Sequence, residues 1–250
     1  MSAPEVSVIV PARDEAAALP RLVGEIVAAL ADVRLEIIVV DDGSTDGTGA
    51  VLGDLVAATP ALRLVAHDRP AGQSAAVRSG LAVARAPFVV TIDGDGQNDP
   101  ADIPRLLAAL AAGGPRLGLV AGERRTRRTS AAKRLASRLA NGIRRGLLGD
   151  GSRDTGCGLK ALRAPVFRAL PYFDGWHRFL PALVLAEGYE IRTLQVADRP
   201  RNGGRSKTGI LDRAAVTALD LFGVWWLVRR RRRRPIATLR HGPDDGGERR

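Results

Sequence analysis

The chain has 250 residues, 45% of them hydrophobic, which is enough for one large or two small domains with a sizeable buried core. Its single cysteine excludes an internal disulfide and is typical of a protein in a reducing compartment. The formal net charge of +11 indicates an anionic partner, which on charge alone is a membrane surface, a phosphate-bearing substrate or a nucleic acid.

The positive charge is concentrated in the second part of the chain. Residues 1–100 carry 7 Lys and Arg against 14 Asp and Glu, whereas residues 101–250 carry 31 against 13. Aromatic residues make up 4% of the sequence, and the basic segments have no aromatic side chains interleaved to stack on bases. Because the sequence also lacks zinc-finger spacings and helix-turn-helix signatures, we do not expect a nucleic-acid partner.

The first hundred residues predict two successive β-α-β units, in which short Val- and Ile-rich runs alternate with apolar residues at helical spacing. In chain order, the predicted elements are a strand within residues 6–15, a helix over 19–30, a strand within 35–48, a strand over 62–66, a helix over 72–84 and a strand over 88–92. Such units imply parallel strands, so the sequence predicts an α/β protein with a mostly parallel sheet.

The last of these strands leads into the most informative motif of the sequence. The run Phe88–Ile92 is followed by D-G-D-G-Q-N-D-P, which places Asp93 and Asp95 in a turn at the carboxyl edge of the sheet. Ligands of open α/β sheets bind at this edge, and two carboxylates there suit Mg²⁺ or Mn²⁺ held jointly with a substrate diphosphate. A polar β-turn is the simpler explanation of the D-x-D motif taken alone. Acidic residues at two other strand ends, Glu15 and the Asp41–Asp42 pair, favour a ligand site, because buried acids are costly unless they are paired or bound to a metal.

Several motifs in a fixed order resemble those of a known family. They are P-A-R-D-E, V-V-D-D-G-S-T-D-G-T, D-G-D-G-Q-N-D-P, S-R-L-A-N, D-T-G-C-G-L-K, W-H-R-F-L-P and R-P-R-N-G-G-R-S-K-T-G. Together they resemble the GT-A-fold family 2 glycosyltransferases, most closely the dolichol-phosphate mannosyltransferase (polyprenyl-phosphate glycosyltransferase) branch. The resemblance implies a GT-A, Rossmann-like catalytic domain over residues 1–212, with a nucleotide-sugar half (1–100) and an acceptor half (101–212).

The resemblance also implies roles for the residues that match the motifs of the family. The nucleotide sugar is expected at Pro11, Arg13, Glu15, Asp42 and Asp93. The metal, Mg²⁺ or Mn²⁺, is expected at Asp93 and Asp95. The catalytic set is expected to be Asp95, Gln97, Arg124, Arg138, Arg201 and Lys207. The family more often has an aromatic residue at the position of Arg13, and it often has Ala and Leu at Gly94 and Gly96, which predicts a looser loop here.

The reaction that the resemblance implies is an inverting transfer of a sugar, most closely mannose from GDP-mannose, onto a polyprenyl or dolichyl phosphate. This acceptor is already an anionic nucleophile, so the reaction needs fixed cations and a divalent ion instead of a general base. His177 is the one candidate base, and a structural or acceptor-loop role suits it better. The alternatives are a UDP-sugar donor and a non-catalytic basic module that binds a membrane or a nucleic acid. A dinucleotide-binding Rossmann enzyme is disfavoured, because P-A-R-D-E stands where G-x-G-x-x-G is expected.

Two segments predict association with an anionic membrane. Residues 131–148 combine Leu or Ile at every fourth position with flanking Lys and Arg, as in an amphipathic helix at the lipid headgroups or, alternatively, a helix packed on the core. Residues 213–235 contain two tryptophans shortly before six arginines, and their apolar stretch is shorter than the ~20 residues that a membrane span requires. The N-terminus lacks a signal-peptide pattern. We therefore expect a peripheral protein on the cytoplasmic face of the cell membrane, with a disordered tail at 236–250.

Overall fold

Seven strands form one sheet with helices on both faces, within the residues that the computed structural model describes (3–124, 142, 146–152, 154–200 and 210–230). The strands are β1 (Val6–Ala12), β2 (Leu35–Asp41), β3 (Leu62–Ala66), β4 (Phe88–Thr91), β5 (Leu117–Arg124), β6 (Lys160–Arg163) and β7 (Glu190–Val196). The described helices are α1 (Leu19–Ala29), α2 (Thr48–Ala58), α3 (Gln73–Val83), α4 (Ile103–Ala112), α5 (Ala164–Ala169), α6 (Leu180–Ala186) and α7 (Ile210–Arg230), with short 3-10 turns at Pro100–Asp102 and Trp176–Arg178.

The sheet is mostly parallel, as the sequence predicts. The strand order is β3-β2-β1-β4-β6-β5-β7, and β1 pairs in parallel with both β2 and β4. Strand β6 is the exception, because it runs antiparallel to both of its neighbours, β4 and β5. This order brings the carboxyl ends of β1, β2 and β4 to the same edge as the amino end of β6, where Lys160 pairs with Thr91. Residues from distant parts of the sequence therefore meet at one edge of the sheet.

Both faces of the central strands are buried, which explains their nearly continuous apolar sequences. Along β1, Val8 and Val10 face one core layer, where they pack with α1, α2 and α4, and Ile9 faces the other. The second layer contains α3, α5, α6 and the buried indole of Trp176, together with Val224 of α7. Helix α7 is therefore attached to this second core layer through one of its faces.

A buried acid at the opposite, amino edge of the sheet has a structural role. The Glu36 carboxylate accepts hydrogen bonds from Ser7 Oγ, from Nη1 of Arg63, and from the amide and Nε of Arg85. Burial alone would raise the pKa of Glu36, but these donors lower it. The cluster ties β1, β2 and β3 to the loop after α3, which shows that a buried carboxylate in this protein is not by itself a sign of a ligand site.

The structure describes most of the C-terminal membrane segment predicted at 213–235 and only a few residues of the one predicted at 131–148. Helix α7 covers most of 213–235 and begins a few residues earlier than predicted. Apart from Gly142 and residues 146–148, which are helical, the predicted helix over 131–148 lies outside the described residues, as does the tail at 236–250. Within the part of the chain that the structure describes, no helix is both long enough and apolar enough to cross a membrane.

Candidate active site

A cavity of about 240 Å³ opens at the edge where β1 and β4 end and β6 begins. Its walls come from the ends of these strands, the first turns of α3 and the 3-10 turn at Trp176–Arg178. The lining residues are Pro11, Gln73, Val77, Thr91, Asp93, Thr155, Gly156, Cys157, Gly158, Lys160, His177, Arg178 and Leu180. This volume is below the ~300–1,000 Å³ of pockets for drug-sized ligands, so the cavity suits one small ring and not a whole nucleotide sugar.

Hydrogen bonds join the loops that follow β1 and β2 beside this cavity. Asp14, which has a positive φ of 55°, accepts a hydrogen bond from the Thr45 amide at 2.8 Å, and its own amide donates to Ser44 Oγ at 2.9 Å. The amide of Glu15 donates to Thr48 Oγ1 at 3.0 Å. The motif D-D-G-S-T-D-G-T therefore positions the first loop, on which Pro11, the exposed Arg13 and Glu15 lie.

Asp42, the predicted nucleoside-binding acid, holds a third loop in place. Its carboxylate accepts from the amides of Ala71 and Gly72 at 2.7 and 2.8 Å, and it lies 2.8 Å from His67 Nδ1. Burial alone would raise the pKa of Asp42, but these three partners lower it, so the group is an anion at neutral pH. Its role at the nucleoside stays a prediction. The contacts show that Asp42 also fixes the loop that leads into α3.

Asp93 lies partly buried in the cavity wall. Gln73 Nε2 donates to Asp93 Oδ1 at 2.8 Å, and a Cβ atom on Gly158 would lie only 2.2 Å from Asp93 Cγ. Burial and, secondly, the charge of Asp95 raise the pKa of Asp93 to about 6, against the opposing effects of Lys160, Arg124 and Gln73. Asp93 lines the cavity and Asp95 is close enough to repel it, so the two carboxylates are suited to share a cation.

Asp95 and Gln97 lie in the turn that follows. Asp95 Oδ1 accepts from the Gln97 amide at 3.1 Å, and the Gln97 carbonyl accepts from the Arg199 amide at 2.9 Å. A Cβ on Gly94 would lie 2.8 Å from the Pro11 carbonyl oxygen, so this glycine lets the turn close tightly against the end of β1. The looser loop stays a prediction, whereas this contact shows that the missing side chain of Gly94 lets the two loops approach each other.

Of the four cations predicted for the catalytic set, the structure describes Arg124. Arg124 is almost completely buried and donates its Nε and Nη2 to Asp154 at 2.7 and 2.9 Å, which raises the pKa of the guanidinium. Much of its hydrogen-bonding capacity is therefore already used. Arg138, Arg201 and Lys207 lie outside the described residues. Among the described residues that precede Arg201, Asp198 forms an isolated bridge with Asn98, shortly after the D-x-D turn.

Lys160 is a residue of the site that sequence reasoning missed. Its side chain is only 3% exposed, lines the cavity, and donates to the carbonyl of Cys157. Burial lowers the pKa of Lys160, whereas Cys157, Asp93 and Asp154 raise it. The motif D-T-G-C-G-L-K contained the signal, but only the antiparallel pairing of β6 with β4 shows that the lysine faces Asp93. The Cys157 thiol beside it is buried, which raises its pKa and suits a packing role.

His177 is held in the cavity wall by the first turn of α3. Its Nδ1 lies 2.7 Å from Ser74 Oγ, which also accepts from the Gly175 amide at 3.0 Å, and Trp176 Nε1 donates to the Ser74 carbonyl at 3.2 Å. Burial, with smaller effects of Lys160 and Arg178, lowers the pKa of His177 to about 3. The imidazole is therefore neutral at physiological pH and a weak base, which agrees with the predicted structural role.

We expect the stability of the protein to fall between about pH 7 and pH 4.5 partly because of His177. Its folded-state pKa of about 3 is below the ordinary value of 6.5, so protons bind preferentially to the unfolded state as the pH falls through this interval. The contribution is complete above pH 6.5 and is lost progressively toward pH 3. His177→Asn, which keeps a polar atom near Ser74, should reduce the pH dependence of the unfolding free energy by on the order of 1–2 kcal/mol. Denaturant unfolding at several pH values measures this; identical pH dependence in the variant would contradict a buried neutral His177.

The arrangement of strands and helices is shared with solved structures of other proteins. Solved structures share the fold at TM-scores above 0.6. Mannosyl-3-phosphoglycerate synthase from Rubrobacter xylanophilus matches with a TM-score of 0.69 and 20% identity, over 94% of this chain and 79% of that one. Glucosyl-3-phosphoglycerate synthase from Mycobacterium tuberculosis, in complex with Mn²⁺ and UDP-glucose, matches with a TM-score of 0.64 and 23% identity, over 90% and 79%. These likenesses confirm the predicted GT-A fold.

The family model for glycosyl transferase family 2 matches residues 7–170, and the chain belongs to this family. A dodecaprenyl-phosphate galacturonate synthase from Rhizobium johnstonii is 35% identical over 90% of this chain and 68% of its own length. An undecaprenyl-phosphate 4-deoxy-4-formamido-L-arabinose transferase from Edwardsiella ictaluri is 34% identical over 82% and 63%. The chain therefore spans about two thirds or less of these curated relatives.

The D-x-D carboxylates fit a divalent cation. Their hard oxygen atoms are the ligands that Mg²⁺ and Mn²⁺ prefer, and a cation between them would relieve the repulsion that contributes to the raised pKa of Asp93. Among the described residues, no group of three or more His, Cys, Asp or Glu side chains is arranged to hold a metal. Substrate oxygens and water would have to complete the coordination, as in sites where Mg²⁺ is bound by one or two carboxylates and a phosphate.

Proposed function

We propose that this protein transfers a sugar from a nucleoside diphosphate sugar to a polyprenyl phosphate, with Mg²⁺ or Mn²⁺ bound at Asp93 and Asp95. The observation that carries the proposal is the position of Asp93 in the wall of a cavity that suits one sugar ring, with the charge of Asp95 close by. The similar proteins named for dodecaprenyl- and undecaprenyl-phosphate products support the acceptor class. The alternative of a non-catalytic basic module leaves the D-x-D pair and the cavity without a purpose.

The proposed transfer does not require a general base, but it requires the two substrates and the metal to be held in fixed positions. The acceptor phosphate oxygen forms a bond to the anomeric carbon while the bond to the nucleoside diphosphate breaks, so the diphosphate leaves with the electron pair and the configuration inverts. The bound metal would stabilise the negative charge of the diphosphate. Asp93, held by Gln73 and packed against Gly158, has a fixed position for this purpose. The neutral, weakly basic His177 is consistent with a reaction in which no proton has to be removed from the nucleophile.

The sequence motifs and the similar proteins favour different sugar donors. The sequence motifs favoured mannose from GDP-mannose, whereas the similar polyprenyl-phosphate transferases are named for galacturonate and 4-deoxy-4-formamido-L-arabinose. We therefore give a UDP-linked donor of this kind more weight than GDP-mannose. Lys160, whose ammonium group lines the cavity opposite Asp93, is the described cation best placed to contact a polar group of the sugar.

The proposed function is tested by incubating the purified protein with undecaprenyl phosphate, Mg²⁺ or Mn²⁺, and each of several donors, GDP-mannose and UDP-galacturonate among them. We expect a glycosyl polyprenyl phosphate with inverted anomeric configuration from at least one donor. Mass spectrometry of the lipid product identifies the sugar, and omission of the lipid controls for donor hydrolysis. Absence of any lipid product across the panel, with protein that binds the donors, would contradict the proposed acceptor.

We also propose that the protein binds the membrane peripherally through α7. Leu219, Phe222 and Trp226 share one side of this helix and are 74%, 62% and 52% exposed. Arg229 and Arg230 continue the same side, and four further arginines follow them in the sequence. Large apolar side chains next to a group of cations match the apolar boundary and anionic headgroups of a bilayer surface.

Replacing the exposed apolar side of α7 should release the protein from lipid. We expect Phe222→Ser combined with Trp226→Ser to weaken binding to anionic liposomes by about 10-fold or more, since each buried aromatic side chain contributes on the order of 1–3 kcal/mol. Co-sedimentation measures the partition, and binding of the wild type should fall as salt rises. Val56→Ser on α2, which also removes an exposed apolar side chain, serves as the control. Wild-type binding by the double variant would assign the membrane contact to another segment, with residues 131–148 next.

A further inference from the structure

The cation at the mouth of the cavity has no role in the site described above. Arg178 ends the 3-10 turn that follows Gly175, lines the cavity beside His177, and is exposed to solvent. Its guanidinium makes no hydrogen bond or ion pair with any side chain in the described part of the chain. Arg124, by contrast, is buried and donates to Asp154. Of the two cations among the described residues that line the cavity, Lys160 is buried, whereas Arg178 is accessible from outside.

The turn that carries Arg178 also contacts the proposed membrane helix. A Cβ on Gly175, which has a positive φ of 86°, would lie 3.0 Å from Asp220 Oδ2 of α7. Burial raises the pKa of Asp220, Arg178 opposes this effect and Asp174 adds to it, so both of these charges lie near Asp220. The core-facing side of α7 thus packs beside the cavity mouth, while its opposite side presents Leu219, Phe222 and Trp226 to solvent.

The proposed reaction places two requirements on the residue that binds the acceptor phosphate. A polyprenyl phosphate stays anchored in the bilayer by its chain, so its phosphate enters the site from the side that faces the membrane. The phosphate also needs a cation that is not already held in an ion pair with a described residue, because the D-x-D carboxylates and the departing diphosphate repel it. Arg178 satisfies both requirements, since it lies at the cavity mouth beside the helix that carries the exposed apolar side.

We propose that Arg178 binds the phosphate of the polyprenyl acceptor at the cavity mouth next to α7. This inference rests on the proposed function and deepens it, because it assigns the acceptor-phosphate contact to a described residue. Ser74 has a supporting role, since its hydroxyl and carbonyl fix Gly175, Trp176 and His177 and thereby the turn that ends in Arg178. The guanidinium supplies paired N–H donors that match two phosphate oxygens.

The test measures the affinity of the full chain for geranyl phosphate and for geraniol, the same chain without phosphate, by calorimetry. We expect Arg178→Ala to weaken geranyl phosphate binding by about 10-fold or more, the scale of one lost charge-assisted hydrogen-bonded contact, and to leave geraniol binding unchanged. Arg178→Lys should retain part of the preference for the phosphate. Arg192→Ala, which removes an exposed arginine of β7, is the matched control and should behave as wild type. Tm and nucleotide-sugar affinity should be unchanged in all three variants.

The outcomes separate the inference from the proposed function. Equal loss, or no loss, in Arg178→Ala and Arg192→Ala would overturn the role of Arg178, even if the wild type transfers sugar to a polyprenyl phosphate. A wild type that binds geranyl phosphate no better than geraniol would overturn it as well. Loss of phosphate preference in Arg178→Ala alone supports the inference, and it does so even if no donor in the panel yields a lipid product, a result that would count against the proposed function only.

Discussion

Asp95→Asn should reduce sugar transfer by on the order of 10³-fold while Tm changes by only a few degrees. The substitution keeps the size of the side chain and an oxygen that accepts from the Gln97 amide, but it removes the negative charge. Losing a charged metal ligand weakens the binding of the metal–diphosphate complex, and about 4 kcal/mol of lost transition-state stabilisation corresponds to this rate effect. Asp95 is partly exposed, so the core is not disturbed.

Two measurements accompany this variant. Asp68→Asn, at an exposed position before α3, removes the same charge away from the turn and should retain wild-type activity. Excess EDTA added to the wild type should have the same effect as Asp95→Asn, and added Mg²⁺ or Mn²⁺ should reverse it. Full activity in EDTA, or in Asp95→Asn, would show that the D-x-D motif is only a polar turn and that the metal assignment is wrong.

The parallel part of the sheet could be predicted from the sequence because its signals are local. The apolar runs that became β1, β2, β3 and β4 are short, rich in Val and Ile, and separated by residues at helical spacing, which implies β-α-β connections. The insertion of β6 between β4 and β5 could not be predicted. It is a four-residue strand whose partners lie about 40 to 70 residues away in the sequence, and its direction depends on contacts that no local pattern encodes.

The difference between local signals and long-range contacts also determines which site residues can be predicted from the sequence. Asp93 and Asp95 follow a recognisable strand, so their position at the sheet edge was predictable, and the structure brings Pro11 to the same cavity. Lys160 and His177 reach the cavity only through tertiary contacts, such as the one between Ser74 and His177, which are 103 residues apart. The sequence contained both motifs, but it did not show which of their polar residues point into the cavity.

The motif of the family predicts a phosphate contact for Arg124, whereas the structure shows an ion pair with Asp154. A cation was expected there for the phosphates, and the structure places it near the cavity, with Asp154 accepting from two of its nitrogen atoms. Asp154 begins the motif D-T-G-C-G-L-K, so the two residues connect the end of β5 to the segment before β6. Its role toward a phosphate stays a prediction, whereas its ion pair with Asp154 is a described contact that supports the cavity wall.

Gly158→Ala should lower kcat by on the order of 10²-fold, the scale for losing one preorganised electrostatic contact. The added Cβ would lie 2.2 Å from Asp93 Cγ and between 2.2 and 2.4 Å from its carboxylate oxygens, so the Asp93 side chain has to move. The backbone of Gly158 cannot readily retreat, because its carbonyl accepts from Thr91 Oγ1 at 2.7 Å. The stability cost should be about 1–3 kcal/mol, as for other overpacked positions. Gly24→Ala on α1, where no atom lies within 4 Å of the new Cβ, is the control and should leave kcat unchanged.

A double-mutant cycle shows whether the loss acts through Asp93. If Gly158→Ala works by displacing this carboxylate, it should cost little additional activity once the carboxylate is gone in Asp93→Ala. Steady-state kcat and donor KM for the two single variants and the double variant provide the comparison. Additive losses in the cycle would mean that Gly158 affects the reaction by another route, such as the fit of the sugar ring in the cavity. Strong non-additivity, with the double variant close to Asp93→Ala, would establish that the glycine is required because Asp93 needs the space that a side chain would fill.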